Sequence, residues 1–245
     1  MDAQTLRHGG NKLLAILPDA TLTRMALHCE HVILPKSALI SEADEPITSA
    51  LFIEDGIASI FKPSQPHGTE ICLSGPESFC GTPLVLADTS WPYRTIVQGD
   101  HLSGVILDAA STLRLLREDE DFSRVLLRSV QVKLVQIAEG LISNANQRIP
   151  ERLARWLLMY RDRLGTDQLP VTHEFMSLMI GVQRTGVTGA LHDIEGYGLI
   201  SAKRGLVVIR DACGLLELAA EGYGVTETEQ FRLFQIYQSS SGINI

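Results

Sequence analysis

The feature that most constrains this chain is one continuous segment, PVTHEFMSLMIGVQRTGVTGALHDIEGYGLISAKRGLVVIRD, residues 170–211. Thr172 stands where a helix N-cap is wanted, with Glu174 and Phe175 following in the first turn. Phe175, Leu178 and Met179 fill one helical face, and Gly181 then interrupts the pattern. Glycine accepts the left-handed backbone that a sharp turn between two crossed helices requires. Val182 anchors that turn. A second helix is predicted from Gln183 to Ile194, with Val187, Leu191 and Ile194 facing inward. Gly196 and Gly198 end it, and LIS and LVVIR form a hairpin across Ala202-Lys203-Arg204-Gly205. The pattern is a winged helix-turn-helix.

That inward set leaves Gln183, Arg184, Thr185 and Thr188 exposed at the N-terminal end of the second helix. In such a motif these positions meet base edges in the major groove. Arg can donate two bonds to guanine, Gln can bond adenine, and a Thr methyl can meet a thymine methyl. Lys203 and Arg204 at the hairpin tip fall beside phosphates, and Thr172 completes the candidate DNA-binding set. A helical hairpin followed by a β-hairpin can also serve packing alone. The turn glycine, the inward apolar triad and the basic tip, all within one short segment, weigh against that. Gly186 and Gly189 inside the second helix each cost about 1 kcal/mol relative to alanine. Close approach to DNA backbone or to the first helix would each justify them.

Charge is distributed in keeping with this reading. The 245 residues carry a net charge of −8, but residues 147–210 hold 9 Lys/Arg against 6 Asp/Glu. The flanking stretches are acidic, with 11 against 18 before that block and 1 against 5 after it.

Upstream the period changes twice. Residues 1–30 read as short helices, LPDATLTRMALHC among them. From about His31 to Leu107 the chain is β-like, punctuated by Asp55-Gly56, His67-Gly68 and Gly75-Pro76. Asp55-Gly56 between two apolar runs predicts a hairpin, and the strand spacing predicts a sandwich or barrel-like roll. Residues 109 to about 146 then lose Gly and Pro almost entirely, which predicts one long helix. Leu127, Val130, Leu134, Ile137, Leu141 and Asn144 alternate steps of three and four along it, a heptad seam. Val125, Val132, Val135 and Ile142 make a second face. One face can pack on the chain's own roll and the other on a second copy. A single amphipathic core helix is the alternative, and two apolar faces favour the dimer.

Pro150 breaks this helix, and RIPERLARWLLMYRDRL begins another. Three parts follow: residues 1–108, 109–147 and 148–245. The fold class is α+β, with a hinge near Asn146–Pro150. The tail after Gly224, with Phe231, Leu233, Phe234, Ile236 and Tyr237, reads as a helix docked on its own domain or as a partner-binding segment.

Several function classes drop out. Cys29, Cys72, Cys80 and Cys213 are scattered with no CxxC pair, which argues against a disulfide framework or a metal site and for a reducing cytoplasm. No apolar run approaches the roughly 18 residues of a membrane span, and the N-terminus lacks a small-residue cleavage site. GxSxG, GxxxxGK and HExxH are all missing, so no catalytic residues are assigned and an enzyme is not expected.

The order of these parts, with LFIEDGIASIF in the roll, FCGTPLVL followed by Tyr93-Arg94-Thr95, and RLARWLL before the DNA-binding unit, resembles the Crp/Fnr family of transcriptional regulators. The resemblance implies a cyclic-nucleotide-binding-like roll, a long dimerisation helix and a C-terminal winged helix-turn-helix. It also implies double-stranded DNA, a second copy of the chain and RNA polymerase as partners, in the cytoplasm and away from membranes. The family's cyclic-AMP receptors hold ribose with a Gly-Glu pair and the cyclic phosphate with an Arg-Ser pair. Here the pairs read Gly81-Thr82 and Arg94-Thr95. Ile137 and Ala138 stand where those receptors offer hydroxyls to adenine, and Leu141 adds to the apolar lining. These replacements argue against cyclic AMP. Arg94, beside Thr95 in the family's phosphate-binding place, implies a buried cation that needs an anionic effector or an internal carboxylate. Only Cys29 lies where the oxygen-sensing branch clusters its cysteines, so an iron–sulfur cluster is not expected, and no histidine is singled out for haem. In the second helix the family's Arg-Glu pair with a later Arg becomes Arg184-Thr185 with Gly189. Two readings stay open: a dimeric regulator whose roll senses an effector other than cyclic AMP, and a constitutive DNA-binding protein whose roll serves only packing and dimerisation.

Overall fold

A computed structural model of the chain describes residues 1–62 and 69–241, with side chains through residue 236. The His67-Gly68 turn expected from sequence lies outside the described residues, as does the side chain of Tyr237. The chain divides into two compact units, one formed by residues 1–60, 72–134 and 228–245, the other by residues 61–71 and 135–227. The described tail residues from 228 to 241 thus group with the N-terminal unit.

Three short helices lead: α1 (Ala3–His8), α2 (Lys12–Ala15) and α3 (Asp19–Ala26). A six-stranded sheet follows, built from β1 (Cys29–Pro35), β2 (Leu39–Ser41), β3 (Ser49–Lys62), β4 (Thr69–Ser74), β5 (Phe79–Cys80) and β6 (Arg94–Asp108). Its order is β1-β6-β3-β4, with β2 on β6 and β5 on β3. β1 and β6 run antiparallel from Cys29 opposite Leu107 to Pro35 opposite His101. Strand alternation sends the apolar run of β3 into two cores. Leu51, Ile53 and Ala58 join Cys80, Val97 and Leu102 in one. Ala50 and Phe52 join Phe79, Val105 and Leu107 against the leading helices in the other. Phe52 centres that second core, its ring 6.0 Å from Phe79 and 6.3 Å from Phe122.

The Asp55-Gly56 hairpin does not form. β3 runs unbroken through both residues for 14 positions. Gly56 has φ 88°, and a Cβ there would lie 2.5 Å from the His101 carbonyl oxygen and 2.9 Å from Leu102 Cα. Glycine is needed because the neighbouring strand passes close by, in a backbone conformation that side chains resist.

The long helix is also two helices. α5 (Ala109–Glu118) ends at buried Asp119, and α6 (Glu120–Asn146) begins beyond it. Asp119 leaves the helical region (φ −126°, ψ 105°), and its carboxylate accepts from the Phe122 backbone N–H at 3.0 Å and the Thr21 hydroxyl at 2.7 Å. An aspartate N-cap restarts the helix. Phe122, Val125, Leu126 and Val130 of α6 enter the second core. The final helix, α11 (Val225–Ser241), contributes Leu233 to the same core, with Phe234 packed beside it.

The second unit holds α7 (Ile149–Leu164), β7 (Gln168–Leu169), α8 (His173–Ile180), α9 (Arg184–Gly196), β8 (Ile200–Lys203), β9 (Leu206–Ile209) and α10 (Ala212–Ala219). Pro150 occupies the first turn of α7, where its missing N–H does no harm. The three strands run β7-β9-β8. Among the described residues, no helix is long and apolar enough to cross a membrane.

Candidate nucleic-acid interface

The Thr172 hydroxyl caps α8 by accepting from the Phe175 backbone N–H at 3.1 Å. α8 ends at Gly181 in the left-handed region (φ 63°, ψ 40°). α9 then begins at Arg184, one residue later than sequence periodicity places it, with Gln183 exposed at the N-cap position. Val187, Leu191 and Ile194 are buried, together with Met176 and Met179 of α8. α7 holds both helices from behind. Its Trp156 and Tyr160 stack at 4.8 Å, and Phe175 meets them edge-on at 5.6 and 6.2 Å. Arg152 of α7 donates to the Ile180 carbonyl at the end of α8, beside the turn. Burial lowers the Arg152 pKa from its usual value.

β8 and β9 pair from Ile200 opposite Ile209 out to Lys203 opposite Leu206, leaving Arg204-Gly205 as the turn. The Ala202 N–H donates to Glu195 Oε1 at 2.9 Å, so the wing is tied to the last turns of α9. Between α8, α9 and the wing lies a cleft of about 610 Å³, lined by Thr172, His173, Glu174, Arg184, Thr188, His192, Glu195, Lys203 and Arg204 among others. Thr188 donates its hydroxyl proton to the Arg184 carbonyl at 3.0 Å. His173 Nδ1 lies 3.0 Å from the Thr188 hydroxyl oxygen, whose own proton is thus used, and so donates to it.

Of the seven DNA-binding residues expected from sequence, Thr172, Arg184, Thr188, Lys203 and Arg204 line this one cleft. Gln183 and Thr185 are exposed on α9 outside it. His173, His192 and Glu195 were not anticipated. His192 follows Thr188 by one helical turn, which periodicity alone could have shown. His173 and Glu195 reach the cleft only through the crossing of α8 and the folding back of the wing.

The residues expected at an effector site are more dispersed. Gly81, with φ 102°, precedes α4 (Thr82–Val85), and Thr82 is buried with its Oγ1 unpartnered among the described residues. Thr95 is buried on β6, opposite Ser41. Arg94 differs from expectation in burial, its side chain being 38% exposed, while an internal carboxylate does pair with it, Glu42 at 2.7 Å. Hydrogen bonding to Glu42 raises the Arg94 pKa, and the same bond lowers that of Glu42. Ile137 and Leu141 are exposed on α6.

The heptad seam is mostly a solvent face. Leu127 is 50% exposed, Leu134 62% and Leu141 70%, with Ile137 and Asn144 also exposed. Val130 is the exception, at 5%, because at its level the helix sinks into the core beside Val125 and Leu126.

Residues 151–218 match the Crp-like helix-turn-helix domain family. No curated protein matches the chain in sequence. In fold it is similar to a protein of Eubacterium rectale assigned to the Crp/Fnr transcriptional regulators, with TM-score 0.68 and 17% identity over 84% of this chain and 97% of that one. It is also similar to a CRP-family transcriptional regulator of Thermus thermophilus, with TM-score 0.67 and 16% identity over 78% and 97% of the two chains. FixK2 of Bradyrhizobium japonicum gives TM-score 0.67 and 16% identity over 78% and 98%. Residues 151–218 thus carry a Crp-like helix-turn-helix domain, and the chain shares the fold of solved Crp/Fnr-type regulators.

Proposed function

We propose that the chain regulates transcription as a homodimer reading a pseudo-palindromic DNA site, with the winged helix-turn-helix of residues 148–227 carrying the reading unit. The cleft between α9 and the wing carries this proposal, because Arg184, Lys203 and Arg204 all line it. Arg184 and Thr188 take the base-reading role, and Lys203 and Arg204 neutralise phosphates. The exposed leucines of α6, within residues 109–147, form the seam between copies, so two reading helices address half-sites about one helical turn apart.

Residues 1–108 serve as the sensing part, answering to an effector other than cyclic AMP. Two observations support that. Thr82 offers no carboxylate to a sugar hydroxyl, and the Arg94 guanidinium is already held by Glu42. The hinge between α6 and α7 would then couple effector to DNA by repositioning the reading units.

Selection of binding sites from a random duplex pool, with the full chain, tests the central claim. A pseudo-palindrome protected on both half-sites is the expected result. An enriched single half-site bound by one chain would remove the dimer, and no enrichment would remove sequence-specific DNA binding.

A further inference from the structure

We infer that Gly189 is a specificity-determining position of the reading helix: its missing side chain lets α9 seat deeply enough in the major groove for the short Thr185 and Thr188 to reach base edges. The inference rests on the DNA reading proposed above.

A glycine in mid-helix is unfavourable relative to alanine, because it frees the unfolded chain and adds no packing. It persists in a helix where the backbone needs a positive φ, where a neighbour leaves no room for a Cβ, or where something outside the chain must come close. Two such glycines lie in α9, and the structure separates them. A Cβ on Gly186 would sit 3.1 Å from Ile149 Cδ1, so that glycine answers to packing within the chain. A Cβ on Gly189 would meet nothing within 4 Å among the described residues. Nor is Gly189 among the residues with positive φ. Neither internal reason applies to it, which leaves the external one.

Its position says what would approach. Gly189 is exposed and follows Thr185 by one turn. It adjoins Thr188 in the chain and precedes His192 by three residues, and both of those line the cleft with Arg184 and Lys203. The outward surface of the first turns of α9 therefore carries one long cationic reader, Arg184, and two threonines, with His192 further along. A threonine's hydroxyl and methyl lie much nearer the helix axis than a guanidinium does. Arg184 can reach a base from a shallow helix, but the threonines need a deep one. The Thr188 proton is moreover committed to the Arg184 carbonyl and one lone pair to His173, so its methyl and one remaining lone pair are what it can offer a base. Any side chain at position 189 would act as a spacer on the face that must descend. The ligand feature read this way is a base-pair edge in the major groove, contacted apolarly or by a hydroxyl at short range.

The test compares wild type, Gly189→Ala, Gly189→Leu and Arg184→Ala as full-length proteins, on the duplex that wild type selects and on a scrambled duplex. Gly189→Ala should melt about 2–4 °C higher, because alanine is the better helix former. It should nevertheless bind the selected duplex roughly tenfold or more weakly, the size of one lost base contact, with scrambled DNA unaffected. Gly189→Leu should lose more than Gly189→Ala. The inference is overturned if Gly189→Ala binds the selected duplex within about twofold of wild type, or if both duplexes weaken alike. It is equally overturned if the variant melts lower, since the glycine would then serve the fold. If wild type selects no sequence, the DNA reading itself fails and this inference with it. If Arg184→Ala loses the site and Gly189→Ala keeps it, the inference alone fails.

Discussion

The Arg94 guanidinium holds both oxygens of Glu42, Nε on Oε1 and Nη2 on Oε2, each at 2.7 Å. A two-pronged pair of this kind satisfies the cation from within the chain, so an incoming cyclic phosphate would have to displace a carboxylate. Isothermal titration of the full chain should show no saturable cyclic-AMP binding at micromolar concentration, and no cyclic-AMP enhancement of DNA affinity. A micromolar dissociation constant abolished by Arg94→Ala would overturn this.

The same pair carries a pH signature. Hydrogen bonding from Arg94 holds the Glu42 carboxyl below its usual range. A depressed acid contributes stability that is present above its unfolded value and fades as pH falls through the folded one. Both side chains are partly exposed, so the contribution is screened and small. An NMR titration should therefore find the Glu42 midpoint below that of an ordinary glutamate, and Arg94→Ala should return it to the usual range. A midpoint that ignores the arginine would mean the pair does not persist in solution.

Arg184 and the wing cations should separate in their effects on DNA. Arg184 sits at the start of α9 and lines the cleft, and a bidentate base contact by it is worth about 1–3 kcal/mol. Arg184→Ala should lose that much on a specific site and relax base preference at one position per half-site. Lys203→Ala or Arg204→Ala should weaken binding to all sequences alike and flatten the salt dependence, because phosphate contacts release counterions without reading sequence. Gel shifts across a salt series distinguish the two. Intact specific binding by Arg184→Ala would show that α9 is not the reading helix.

The reading unit was legible in sequence because its determinants are local. Thr172 caps its own helix, Gly181 takes the left-handed conformation that the turn needs, and the inward triad follows one helical period. Features set by distant neighbours were not legible. Asp55-Gly56 is a turn signal by composition, yet pairing with β6 draws both residues into one strand. Glu42 lies 52 residues from Arg94, and no spacing rule links them. Asp119 breaks the long helix as its N-cap, a local cue hidden within an apolar periodicity that continues on both sides. Val130 fits the heptad seam as well as Leu127 does, and only its packing into the core with Val125 and Leu126 makes it interior.

Gly181 offers a direct test of the turn. Its φ of 63° is a conformation that a Cβ disfavours, although the surrounding space is open, with Thr69 Cγ2 the nearest atom at 3.8 Å. Gly181→Ala should therefore destabilise the reading unit by about 1 kcal/mol or more through backbone strain alone. Urea unfolding followed by the Trp156 fluorescence of that unit, with Trp91→Phe as background, would measure it. Unchanged stability would mean the turn relaxes to another conformation.

Leu134 and Ile137 give the clearest test of assembly. Both lie on the exposed side of α6, at 62% and 39% exposure, so replacing them removes little from the chain's own core. A carboxylate pair there would instead meet its symmetry mate across the seam, and like charges desolvated in an apolar interface are strongly unfavourable. Leu134→Glu with Ile137→Glu should sediment as a folded monomer, with circular dichroism close to wild type. Its specific DNA affinity should fall steeply, because each half-site is then bound without help from the other. Val130→Glu is the contrasting variant. That side chain is packed beside Val125 and Leu126, and an unpaired charge there should unfold the N-terminal unit rather than merely separate two copies. A Leu134→Glu/Ile137→Glu protein that remains dimeric would place the subunit contact elsewhere than on this face of α6.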